Sequence, residues 1–163
     1  MDILFENTYV RDKELAKEYY MFCIYKRLSC RIARIIWTLA DLIGLLFLNP
    51  FVLALDLVFC LARLIRYYNS INKMVNWGIQ VHGKEIEART VVTDTYFERT
   101  LSTGAVTKVE LKTIKQAVQT KNLILLRSDK GIYHIFRKDT FTIGTKNDFI
   151  AFLINKGITV TGK

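Results

Sequence analysis

One stretch of this sequence constrains the rest. Residues 32–65 are overwhelmingly apolar, and the run is broken at Asn49-Pro50. Its first half, roughly residues 31–48, reads RIARIIWTLADLIGLLFL, and its second, roughly 51–66, reads FVLALDLVFCLARLIR. Proline pushes the residue before it out of helical geometry, and Asn-Pro favours a turn. Two antiparallel helices are therefore expected. Each is near the lower length limit for crossing a ~30 Å hydrocarbon core. Extension back to Leu28 and on to Tyr68, with snorkelling Lys and Arg stems, closes the gap. The pattern thus predicts a transmembrane hairpin over residues 28–68. The alternative is a buried hairpin in a soluble protein, which requires a large apolar surface to cover both helices.

Charge predicts the orientation. Lys26, Arg27, Arg31 and Arg34 lie before or at the start of the first segment, and Arg63, Arg66 and Lys73 at or after the end of the second. The tip, residues 48–51, carries no charge. The positive-inside rule then predicts a cell-membrane protein with two spans and both termini cytoplasmic. The N-terminus has no basic region ahead of an apolar run, so no cleaved signal peptide is expected.

Asp41 and Asp56 interrupt the apolar run, and an acid in that setting is a functional candidate. Arg34 precedes Asp41 by seven residues and Arg63 follows Asp56 by seven, so each acid shares a helix face with an arginine. Asp41, Asp56, Arg34 and Arg63 are expected to form a polar seam. It either docks a partner or a second copy, or merely fixes the packing of the two helices.

The formal charge of +9 is uneven, with thirteen basic against six acidic residues in 89–163. A basic domain beside an anionic leaflet gains on the order of 1 kcal/mol per Lys or Arg near the surface. Lys26, Arg27, Arg31, Arg66, Lys112, Lys115, Arg137 and Lys138 are candidate contacts for such a surface. Solubility charge is the plainer explanation. Nucleic acid is not an expected partner, because no recognisable binding motif accompanies the charge.

The flanks read differently. In residues 1–27, Ile3-Leu4-Phe5 and Tyr9-Val10 suggest a short strand, then a helix capped by Asp12. Leu15, Tyr19 and Phe22 form its apolar stripe, which lies either in a membrane interface or on the β-domain. Residues 69–163 begin helical, with Ile71, Met74, Val75 and Ile79 on one stripe. Strands are then predicted over 85–92, 95–101, 105–111, 123–127 and 132–137. Thr145 caps a last helix with Asp148 at N3, and Gly157 ends it. The fold class expected is α+β: a two-helix transmembrane hairpin plus a small antiparallel β-domain closed by a C-terminal helix.

Chemistry is sparse. No Gly-rich phosphate loop, HExxH, GxSxG or CxxC occurs, so no catalytic residue, metal ligand or cofactor is assigned. His82 and His134 lack a neighbouring Cys or acid at ligand spacing. Cys23, Cys30 and Cys60 are odd in number, and no disulfide framework is expected.

Several phrases resemble the YcxB-like family of bacterial membrane proteins: residues 109–118 (VELKTIKQAV), residues 123–126 (LILL), residues 136–141 (FRKDTF) and Asp148-Phe149 with Phe152-Leu153. The resemblance implies an N-terminal strand and helix, two adjacent spans, and a C-terminal pleckstrin-homology-like β-domain. It implies no catalytic activity. The expected function is a membrane-anchored interaction module on the cytoplasmic face, recruiting or restraining a protein partner, with the lipid bilayer and a protein or second copy as partners. The alternatives are an anionic-lipid headgroup binder, or an immunity-type or accessory subunit of a membrane transporter or toxin system.

Overall fold

The computed structural model describes residues 2–26, 50–82 and 85–162, together with Ile32, Ile35, Ile36, Thr38, Leu39 and Leu42. Its elements are strands β1 (Phe5–Val10), β2 (Glu87–Val92), β3 (Tyr96–Leu101), β4 (Val106–Glu110), β5 (Ile114–Gln119), β6 (Leu123–Ser128), β7 (Tyr133–Arg137), β8 (Phe141–Ile143) and β9 (Thr159–Thr161), with helices α1 (Lys13–Lys26), α2 (Pro50–His82) and α3 (Lys146–Asn155).

The strands form two sheets. One has the order β4-β3-β2-β1-β8 and the other β7-β6-β5-β9. All pairings are antiparallel except that of β5 with β9, which the intervening chain returns to parallel. β1 comes from the N-terminus yet lies between β2 and β8, so the first residues of the chain are integral to the β-domain.

The four-residue run Leu123-Ile124-Leu125-Leu126 is buried on both faces of β6, the pattern expected of a strand covered on each side. Ile124 and Leu126 pack with Phe97, Phe136, Phe149 and Leu153, a cluster closed by α3. Leu123 and Leu125 pack with Tyr9, Ala88 and Ile135, a cluster closed by Leu15 of α1, with Tyr19 and Phe22 alongside. The α1 stripe thus lies on the β-domain.

Local chemistry sets the helix starts. Asp12 Oδ1 accepts the Leu15 N–H at 2.8 Å, and its other oxygen accepts from Arg137 at 2.7 Å. Thr145 accepts the Asp148 N–H at 3.2 Å, satisfying a first-turn donor of α3. Glu18 then ties α1 to the β5–β6 turn, accepting from Asn122 N–H at 2.8 Å, Asn122 Nδ2 at 3.0 Å and the Thr120 hydroxyl.

The transmembrane hairpin is corrected. Among the described residues, no helix is long and apolar enough to cross a membrane. The expected fold class, the two spans and the membrane location with cytoplasmic termini fall with it. The physical reason lies in α2. Pro50 opens the helix, as proline can at a first helical position, but the apolar part carries Asp56, Arg63 and Arg66 and passes directly into Tyr67, Tyr68, Asn69 and Ser70. Three charges in so short a stretch are costly in hydrocarbon. The helix then continues unbroken to His82, joining the predicted second span to the helical stretch expected after it. The first predicted span, residues 31–48, lies outside the described residues, apart from six helical positions.

Candidate interaction surface

The residues of α2 sort into a covered half and an uncovered half. At 3.6 residues per turn, Leu57, Leu61, Leu64, Tyr68, Ile71 and Val75 fall on one continuous stripe. Toward the C-terminus, Ile71 and Val75 are buried against Ala16 of α1, with Tyr67 and Met74 at the margin. Tyr20 and Tyr67 stack across this contact, their rings 5.6 Å apart. Toward the N-terminus the same stripe stands open, and Leu57 is 63 % and Leu64 52 % exposed. Val58 and Ile65 widen it, and both are exposed. Ile32, Ile35, Ile36, Leu39 and Leu42 add a second exposed apolar set at helical spacing. Contiguous exposed apolar side chains of this kind are a common feature of interaction sites.

A groove of about 440 Å³ borders the stripe, lined by Ala62, Ile65, Arg66, Asn69, Ser70 and Lys73. From residue 57 to residue 84 the sequence holds Arg63, Arg66, Lys73 and Lys84 and no acid. The apolar face therefore has a basic margin. A second groove, of about 340 Å³, lies on the outer face of the first sheet between Thr8, Arg89, Glu98 and Thr100. Its charge is mixed, and Arg89 is held by Glu6 at 2.8 Å.

Several of the residues singled out from sequence lie outside the described residues, and the described ones do not form one group. In the polar seam, Arg34 and Asp41 lie outside the described residues, as does the side chain of Asp56. Arg63 is exposed on α2. Among the candidate anionic-surface contacts, Arg27, Arg31 and the Lys26 side chain also lie outside. Lys112 and Lys115 flank the start of β5, which pairs with the end of β6 at Ser128, whereas Arg137 ends β7 and Lys138 follows it, where β7 pairs with the start of β6 at Leu123. The two pairs therefore sit at opposite ends of the sheet. Lys112 pairs with Glu110 at 2.6 Å. Arg137 pairs with Asp12 at 2.7 Å and Asp139 at 3.0 Å, and Lys138 donates to the Thr120 carbonyl at 2.6 Å.

A polar seam of a different kind joins the sheets, and the sequence pattern did not reveal it. Asn7, fully buried, donates to the Arg137 carbonyl at 2.7 Å and accepts the Arg137 N–H at 3.1 Å. It acts as a strand neighbour for the edge of β7. Arg99 donates to Thr90 at 3.2 Å and to the Ile135 carbonyl at 2.7 Å. His134 stacks edge-on against Phe97, 5.0 Å between centroids. Burial, with Arg99 adding to it, pulls its imidazole down to about 4. Only the alternation of polar residues among inward positions of β1 and β3 hints at this seam. Among the described residues, no three His, Cys, Asp or Glu side chains converge as metal ligands would.

Compared with protein-family models, curated proteins and solved structures, the chain shows no match.

Proposed function

We propose that the protein is a protein-interaction module whose docking surface is the open half of the α2 stripe, and that its partner presents an acidic amphipathic helix. The observation behind this reading is continuity. One stripe of α2 is covered by a helix, α1, at Ile71 and Val75, and stands exposed from Leu57 to Tyr68. A second helix laid end-on to α1 would extend packing that the fold already uses. Arg66 and Lys73 at the margin select acids on that helix.

The test uses a labelled synthetic helix with leucines at heptad spacing and glutamates flanking them. Fluorescence anisotropy with the full chain is expected to show salt-sensitive binding, weakened more than tenfold by Leu61→Glu with Leu64→Glu. A lysine-flanked version should bind poorly. Equal binding of both versions, or a stable dimer that occupies the stripe and shuts the peptide out, would overturn the proposal. So would binding of vesicles containing anionic lipid through the same two leucines with no peptide binding.

A further inference from the structure

The side chains that join the two sheets leave a cationic imbalance. Arg99 uses its fork on Thr90 and the Ile135 carbonyl, which leaves N–H groups to spare among its five donors. Among the described residues, neither Arg99 nor Arg11 forms an ion pair. Beside them the Tyr9 hydroxyl is buried without a hydrogen-bond partner, in a residue only 3 % exposed.

The strand register places these groups together. Tyr9 lies opposite Ala88, and Arg99 lies opposite Thr90. Tyr9 and Arg99 are therefore on the inward face, separated by one strand whose residues there are small. Ala88 and Thr90 are fully buried beneath them. Arg11 follows Tyr9 by two residues, the period that keeps side chains on one side of an extended chain. Burial lowers the Arg99 guanidinium from its ordinary value; Tyr9 opposes that shift and Arg11 adds to it, so Arg99 senses both neighbours.

A desolvated cation without an acid, and a desolvated hydroxyl without an acceptor, are each unfavourable. A single chemical group answers both. An oxyanion accepts from a guanidinium fork and from a phenol O–H at once. We infer that Arg99, Tyr9 and Arg11 bind an oxyanion at the seam between the sheets: the carboxylate or phosphate group of a small ligand.

The experiment is calorimetric and thermal-shift titration of the full chain with sodium phosphate and with sodium acetate, at ionic strength held constant with sodium chloride. One-site binding of at least one anion is expected. Tyr9→Phe should weaken it about tenfold through loss of a charge-assisted hydrogen bond. Arg99→Lys, which keeps the charge and loses the fork, should do likewise while circular dichroism stays native. Preference for phosphate assigns a phosphate-bearing ligand, and preference for acetate a carboxylate. The proposal is overturned if neither anion binds at tens of millimolar, or if both variants bind as the parent protein does.

Discussion

Tyr9 and His134 show how single side chains feel the space between the sheets. Among the described residues the Tyr9 hydroxyl has no hydrogen-bond partner, so Tyr9→Phe removes a desolvated polar atom and no bond. In anion-free buffer the variant is expected to be as stable as the parent or more so, by up to about 1 kcal/mol; urea denaturation checks this. A loss of stability would reveal a partner for the hydroxyl. His134 gives a pH dependence of definite sign. Its imidazole titrates near 6.5 in the unfolded chain and at about 4 in the fold. Between those values the unfolded chain binds a proton that the native state does not. The stabilisation is therefore complete above pH 6.5 and declines as pH falls toward 4, by at most roughly 3 kcal/mol. His134→Leu should flatten that limb of the stability–pH curve. An unchanged limb would assign the acid sensitivity to other groups.

Elements are joined here by side chains as much as by strand ladders. β7 is an edge strand of its sheet, and Asn7 of β1 satisfies the Arg137 N–H and carbonyl in place of a neighbouring strand. Asn7→Ala removes the partner of the half-buried Arg137 N–H and leaves its carbonyl with only the Thr140 hydroxyl at 3.4 Å. A cost of about 1–3 kcal/mol is expected from one orphaned group, measured by chemical denaturation. Hydrogen exchange should become faster at Arg137 than at the centre of β6. At Gly144, φ is +73°, and an added Cβ would lie 2.5 Å from the Phe5 ring. Gly144→Ala should therefore destabilise the β8–α3 corner by more than 1 kcal/mol, lowering the midpoint of thermal unfolding.

At the scale of the whole molecule, a closed two-sheet domain supports one helix that is packed at one end and open at the other. The open end contributes nothing to the described core. Leu61→Glu with Leu64→Glu is accordingly expected to leave folding stability within about 0.5 kcal/mol of the parent while abolishing capture of the acidic helix. A large drop in the melting temperature of the isolated protein would instead make the stripe part of the fold. The described basic residues of the second sheet are spread along it. Lys112 and Arg137 belong to opposite ends of one sheet, and their neighbours Glu110 and Asp12 already hold them.

Much of the local structure was legible from the chain. Asp12 and Thr145 announce their helices because a cap is a contact between near neighbours. The strands from Glu87 to Glu110 and from Leu123 to Arg137 follow from alternation and turn residues. β5, β8 and β9 did not show themselves. β8 and β9 have three residues each and exist only through pairing with β1 and β5 from distant parts of the sequence. The apolar block of residues 32–65 predicted a transmembrane hairpin, and that expectation failed because the charges and polar residues of α2 leave no described helix long and apolar enough to cross a membrane. Of the candidate sites, the spacing of Asp56 and Arg63 was readable, whereas Tyr9, Arg11 and Arg99 come together only through strand register. Sequence by itself determined what depends on neighbours along the chain: caps, turns and the period of each element. Tertiary structure alone decided what depends on neighbours in space: which face of α2 is covered, which edge Asn7 completes, and where a buried cation is left without an acid.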